Sequence, residues 1–514
     1  MMLTRRFSYL FLMIVSAGGR PFANPDHHQV LVLGGGVAGI IAARSLHSKG
    51  VGDFVIIEAR DELGGRMRSH NFGGTTIEVG ANWIQGTQVP GGPANPILDL
   101  AIKHNLKTRA NDWFGSISTV IVFSSLILTF DASRPATYDS KGATDYLDVF
   151  KTSVDDFSNL TVLAGARVDE KLVDVTGRTG YSLIAPRKTD DHSRASEYYQ
   201  FDWEYAQTPK ESSLIAAGNN FTYNTDEGGF SGDNQMSIDP RGFKYLIQQE
   251  AQEFIKPRNL ILNTTVKSIS YSNSGVTVTL TDGKKVTGSY AICTFSLGVL
   301  QNNRVEFQPP LPAFKVEAIQ SMTMATYTKV FLRFPKKFWF DTEMALYADA
   351  ERGRYPVWQS LDHPNFFPGS RILFVTVTGD YSLRIERLSD SQVKSEIMGV
   401  LRTMFPNITV PEPTDFFFQR WNDDPLYHGS YSNWPPSFFS EHHDNLRANV
   451  GNLYFAGEAM SIKYFGFLHG AYFEGLAIGQ MVASCINGEG CVGLKQVKDV
   501  VNLHPYEIPN GTSD

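Results

Sequence analysis

A chain of 514 residues is too long for one simple core and predicts two or three domains. Its hydrophobic content of 42% and aromatic content of 12% describe a well-packed globular protein. The net charge of -7 argues against a nucleic-acid binder and is compatible with a polycationic ligand.

Residues 1–25 read as a secretory signal: Arg5 and Arg6 precede the apolar run Phe7 to Val15, and the small residues Ser16, Ala17 and Gly18 follow. The run is too short for a comfortable membrane span. Sequons at Asn159, Asn220, Asn263, Asn407 and Asn510 agree with export and an extracellular location. In an oxidising compartment Cys485 and Cys491 could close a small loop or stay unpaired, and Cys293, inside an apolar run, reads as a buried free thiol.

The first strong pattern is Val30-Leu31-Val32-Leu33, fit for a buried parallel strand, followed at once by Gly34-Gly35-Gly36-Val37-Ala38-Gly39 with G-x-G-x-x-G spacing. A helical apolar pattern (Ile40, Ile41, Ala42, Ala43, Leu46), Gly50, and a second strand, Phe54 to Ile57, lead to Glu58. Gly34 serves a tight turn, Gly36 lets backbone approach a pyrophosphate, Gly39 permits close helix packing, and an acid roughly 20 residues on accepts from ribose hydroxyls. The helix N-terminus faces the phosphates with unpaired N–H groups. Strand, turn, helix, strand and acid in this order favour dinucleotide binding over an ordinary strand-to-helix turn.

Gly64-Gly65-Arg66-Met67-Arg68 next offers backbone and a planar guanidinium to a pyrophosphate. Val120 to Phe130 is an apolar stretch without alternation, read as a buried strand or an insertion, and residues 205–240, rich in Gly, Asn, Ser and Thr, read as loop. Beyond them come a helix over Arg241 to Phe254, a strand at Leu260 to Leu262, a hairpin over Val266 to Leu280 and a buried strand at Ser289 to Cys293. Strands are expected at Thr328 to Phe334, Ala345 to Ala348 and Leu373 to Thr378, with a helix at Ser391 to Met404. Asn452 to Glu458, followed by a helix from Gly470 through Gly475 and Gly479, offers a second cofactor contact. With cofactor signals near both ends, the nucleotide domain is assembled from separated segments.

Together, Gly34 to Glu58, Gly64 to Met67, Ala81-Asn82-Trp83, Tyr327-Thr328-Lys329, Ser432 to Pro435 and Phe455 to Glu458 resemble the FAD-dependent amine oxidases, most closely the plant extracellular polyamine oxidases. The resemblance runs from about residue 28 to the end, weakest between about 110 and 195. It implies an α/β fold: a Rossmann-like FAD-binding domain (26–110, 240–305 and 415–485) with an inserted α+β substrate-binding domain (111–239 and 306–414), as in the two-domain amine oxidase and p-hydroxybenzoate hydroxylase architecture, and a tail over 486–514. It implies oxidation of spermine or spermidine by hydride transfer to flavin N5, with O2 reduced to hydrogen peroxide. The alternatives are a monoamine or L-amino-acid oxidase on the same fold, or a silent amine-binding flavoprotein.

By this resemblance Lys329 is the residue held by a water near flavin N5, and Tyr431 and Phe467 are facing rings that orient the amine and exclude water. Trp83, Tyr327 and Trp421 are pocket or flavin-packing residues. The FAD contacts are placed at Gly34, Gly36, Val37, Ala38, Gly39, Glu58, Ala59, Arg60, Gly65, Arg66, Ala81, Asn82, Trp83, Val266, Trp421, Gly457, Glu458 and Phe467. Gln85 stands where the plant enzymes carry a Glu for distal ammonium groups, Phe467 replaces a Tyr, and Ser430 sits where monoamine oxidases have a flavin-linking Cys, so FAD is expected to be noncovalent. Val120 to Phe130 has no counterpart in the family. A monomer is implied, acting on a small amine and O2 without metal, membrane or nucleic acid. An amino-acid substrate needs an Arg for its carboxylate, for which Arg333, Arg354 and Arg420 are candidates.

Overall fold

The computed structural model describes residues 27–113, 115–118, 136–185, 189–225 and 229–491. The expected signal segment, the sequon at Asn510 and the apolar stretch Val120 to Phe130 lie outside them.

β1 (His27–Leu33) is the centre of the first sheet. Val30 to Leu33 are fully buried, as a strand covered on both faces must be. β1 pairs in parallel with β2 (Phe54–Ile57) on one side and with Lys285–Cys293 on the other. Lys285–Cys293 then takes Leu453–Phe455 as a further parallel partner, so segments from the start, middle and end of the chain build one core. The hairpin Val266–Ser272 and Gly275–Leu280 extends the sheet antiparallel, in the expected place. α1 (Val37–Ser48) packs on the C-terminal helix Leu468–Asn487, where a Cβ on Gly475 would lie 2.3 Å from the Ala38 carbonyl oxygen. Only glycine permits that approach.

A second, seven-stranded sheet carries Tyr327–Arg333 between Asp415–Phe418 and Ile372–Thr378, and continues through Val357–Ser360, Met344–Tyr347 and Thr137–Asp139 to Gly142–Ala143. Its strands are near the expected bounds, and Asp415–Phe418 pairs antiparallel with Tyr327–Arg333 at its edge. A small sheet joins Trp83–Gln85, Asn234–Ser237 and Thr108–Ala110.

Residues 205–240 are not a loop. They contain the helix Leu214–Thr225 and the strand Asn234–Ser237. Leu214, Ala216 and Ala217 are buried, and Gly218 stands so close to Leu147–Asp169 that a Cβ would lie 2.4 Å from that of Ala164. Tertiary packing overrides the loop-like composition here. Cys485 and Cys491 form a disulfide, and Cys293 is a buried free thiol. No described helix is long and apolar enough to cross a membrane.

Candidate active site

A cavity of about 290 Å³ begins at the glycine turn and ends among aromatic side chains. At the turn, Gly36 caps α1 with no side-chain acceptor, leaving the first N–H groups free for an anion. Gly65 reaches across from the second glycine pair, and a Cβ there would lie 3.1 Å from the Gly36 Cα, so any side chain would fill the passage between the two backbones. Buried Glu58 accepts from Gly35 N at 2.6 Å and from Arg60 N at 2.9 Å, which leaves lone pairs on both oxygens for ribose hydroxyls. These residues fit the dinucleotide that the fingerprint implies.

Of the expected cofactor contacts, Gly34, Gly36, Val37, Ala38, Glu58, Ala59, Gly65, Arg66, Ala81, Asn82, Trp83, Val266, Trp421, Gly457, Glu458 and Phe467 line this cavity. Gly39 and Arg60 do not. Gly39 serves packing: a Cβ would stand 2.0 Å from the Gly34 carbonyl oxygen. Arg60 turns its guanidinium toward Glu62, at 3.2 Å, and the Tyr427 hydroxyl. Arg66 Nη1 donates to Glu458 Oε1 at 2.8 Å and to the Ser430 carbonyl at 2.9 Å. Glu458 Oε2 takes the Ser432 hydroxyl at 2.6 Å and Gly466 N at 2.8 Å, so one buried carboxylate gathers three separate segments around the cavity.

Lys329 projects from Tyr327–Arg333, the second strand from the edge of the second sheet. It is buried, as its apolar neighbours Val330-Phe331-Leu332 require. Its Nζ donates to Gly80 O at 2.6 Å, Asn82 Oδ1 at 2.5 Å and Glu78 O at 3.2 Å, and lies 5.0 Å from the centre of the Trp83 ring. Burial lowers its pKa to about 7, opposed by the charge of Glu78. Its three acceptors are all carbonyl-type oxygens, with no carboxylate oxygen among them.

Around it stand Tyr327, Tyr431, Phe467, Trp83 and Gln85, all on the cavity wall. Trp83 and Gln85 share one face of their strand by its two-residue period, while Ile84 enters the core. Tyr431 packs against Tyr327 with ring centres 5.9 Å apart, and Phe467 stacks on His469 at 5.1 Å; the two rings expected to face each other share the cavity without ring contact. Trp421 is held through its backbone N–H by Glu386, and the Ser430 hydroxyl donates to Tyr327 O, with no thiol at that position.

Sequence reasoning missed Trp113, Trp203, Glu204 and Tyr205, which also line the cavity. The last three follow a π-helical turn, Tyr198–Asp202, that shifts the register by a residue. Arg352 clamps that turn by two bonds to buried Asp202, at 2.9 and 2.6 Å. The aromatic run from Tyr198 to Tyr205 was the available signal. Glu204 is half-buried and lines the cavity. Burial pushes its carboxyl up to about 7. The Tyr431 hydroxyl donates to its backbone carbonyl at 2.8 Å.

None of Arg333, Arg354 and Arg420 lines the cavity. They pair with Asp415, Asp349 and Asp390. The arginines that do are Arg66, held by Glu458, and Arg304, whose Nε donates to His428 Nε2 at 2.7 Å.

Comparison with known proteins gives one consistent result. Residues 37–480 match the family model described as flavin containing amine oxidoreductase. The chain is 36% identical over 485 residues to polyamine oxidase 1 of Zea mays, covering 90% of this chain and 92% of that one. It is 35% identical over 511 residues to polyamine oxidase 6 of Oryza sativa subsp. japonica, covering 96% of each. Among solved structures, a putrescine oxidase bound to putrescine superposes with a TM-score of 0.67 at 19% identity, over 90% of this chain and 99% of that one, a likeness of fold.

Proposed function

The chain belongs to the flavin containing amine oxidoreductase family, and from that premise we propose that it is a secreted oxidase of aliphatic polyamines such as spermine and spermidine. Family membership makes it an amine oxidase with noncovalent FAD. The polyamine reading draws on the maize and rice relatives, and above all on one observation: an acidic residue, Glu204, lines the same cavity as Lys329.

The glycine cradle, Glu58 and Arg66 would hold FAD, which would supply the acceptor for a hydride equivalent from the carbon next to nitrogen and the route by which O2 becomes hydrogen peroxide. Tyr327, Tyr431, Phe467 and Trp83 exclude water and orient the amine, and their low-polarity walls favour the neutral amine that oxidation requires. Glu204 attracts an ammonium further along the chain. Lys329 Nζ, fixed by Gly80 and Asn82, donates or accepts a proton near neutral pH, in the oxygen half-reaction or in hydrolysis of the released imine. The engagement of Arg333, Arg354 and Arg420 elsewhere weighs against an amino-acid substrate.

Secretion is supported by the N-terminal pattern, by the Cys485–Cys491 disulfide and by exposure of the sequon residues Asn159, Asn263 and Asn407. Sequencing the mature N-terminus checks it: retention of Arg5 and Arg6 would refute the signal. Activity is tested by mixing the yellow protein anaerobically with spermidine, benzylamine or leucine. Bleaching by spermidine is expected. Bleaching by leucine alone would move the chain to the amino-acid oxidases, and none by any amine would end the enzymatic reading.

A further inference from the structure

We infer that Trp83, Trp113 and Trp203 form a subsite that takes an alkylammonium group of the substrate on indole faces, and that it accepts quaternary as well as primary cations. The inference rests on the amine-binding reading of the cavity and names the part that selects among amines. The three indoles meet edge to face in every pairing. Trp83 and Trp113 lie 5.5 Å apart at 85°, Trp83 and Trp203 5.9 Å at 74°, and Trp113 and Trp203 5.0 Å at 80°. Three mutually perpendicular rings make the corner of a box, and all three line the cavity.

The corner is built in advance. Buried Asn111 accepts both indole N–H groups on one oxygen, from Trp83 at 2.8 Å and Trp113 at 2.7 Å, and anchors its own amide to Glu343 at 2.6 Å. Two polar ring edges therefore converge on a single point in the protein wall. Trp203 is braced from behind by Tyr199, stacked at 5.1 Å, whose hydroxyl donates to the Trp113 carbonyl at 2.6 Å. Rings locked in this way lose little freedom when a ligand arrives.

A cation is the ligand these faces suit, because the ring quadrupole is negative on the face. Trp83 already accepts one, Lys329, at 5.0 Å. The polar side chains near the corner include Lys329 over the Trp83 ring, Gln85, a neutral amide on the face of the strand that carries Trp83, and Glu204, next to Trp203 in the chain. A site built on paired carboxylates recognises N–H donors by hydrogen bonds, whereas ring faces hold a cation with no N–H at all. Tolerance of a trimethylammonium head therefore separates the two designs.

The probes are choline and its uncharged carbon isostere, applied to the FAD-replete enzyme, with binding read from the flavin difference spectrum. Choline is expected to bind more tightly than the isostere, Trp113→Leu to weaken it about tenfold, and Trp113→Phe to remain within about threefold of wild type. Full FAD content in each variant confirms folding. Equal binding of choline and isostere, no binding of choline, or an unchanged affinity in Trp113→Leu overturns the subsite. Because this readout needs no turnover, an enzyme that binds choline as described but is bleached by no amine supports the subsite and refutes the oxidase reading alone.

Discussion

Replacing Glu204 by Gln removes one charge and almost no volume, so it isolates the electrostatic part of substrate capture. Burial raises this carboxyl from the ordinary glutamate value of 4.5 to about 7, which at 1.36 kcal/mol per pH unit means that burial costs the ionised form roughly 3 kcal/mol. An ammonium brought against it offsets that cost, and a neutral amide has none to offset. Allowing for incomplete contact, Glu204→Gln should lose about 1.4 to 2.7 kcal/mol of spermidine binding, or about 10- to 100-fold in KM, with kcat little changed. The sign with pH follows from the raised pKa: above about 7 the carboxylate is charged and the gap is full, and as pH falls through 7 the wild type protonates and the two enzymes converge. Without ligand the same group makes wild-type stability fall as pH rises from about 4.5 to 7, because the folded protein holds the proton more tightly than the unfolded chain. Steady-state peroxide release between pH 6 and 9 provides the assay. A gap in KM that is absent at pH 8.5, or that stays constant across the range, would refute the assignment of Glu204 as the counter-charge.

Lys329→Met should abolish a kinetic limb near pH 7 and lower turnover by roughly 10- to 100-fold. Because the folded pKa of Lys329 is depressed, the unfolded chain binds the extra proton between pH 7 and 10.5, so wild-type stability should gain on the variant as pH rises from 7 to 9; a Tm difference independent of pH would count against it. Gly39→Val should yield colourless protein lacking FAD, since its Cβ has no room beside the Gly34 carbonyl, whereas Gly52→Ala, with open space around it, should stay yellow at wild-type Tm. Gln85→Glu places a second carboxylate on the cavity wall and should lower the KM for spermine about 3- to 30-fold; an unchanged KM would show that position 85 lies outside the path of the ammonium groups.

What could be read in the chain was whatever chemistry is local in sequence. The strand, glycine turn, helix and acid from Val30 to Glu58 lie in order within one βαβ unit, and the burial of Lys329 follows from its apolar neighbours. Arg60, two residues beyond the acid, looked like a cofactor residue, but chain proximity does not set side-chain direction and Glu62 draws it away. The region 205–240 misled because its Gly, Asn and Ser residues are turn formers in isolation, whereas Gly218 is there to seat one helix on another. Trp113 and Trp203 stand far apart in sequence and meet only through Asn111, Tyr199 and the π-helical turn, and no local pattern encodes such a meeting.

The parallel core pairs Leu33 with Cys293, and Cys293 with Phe455, and then seats α1 against the last helix at Gly475. A ribosome delivers these partners in that order. The first strand and its helix therefore leave the exit tunnel long before their neighbours exist, with apolar faces uncovered and a glycine cradle that has no opposite wall. Contacts of such sequence separation make for slow closure and prolonged exposure to misassembly. Loading of the flavin thus becomes a late event, possible only once the C-terminal helix has been released, and a chain cut short before Leu453 should be cleared by quality control instead of surviving as an empty domain.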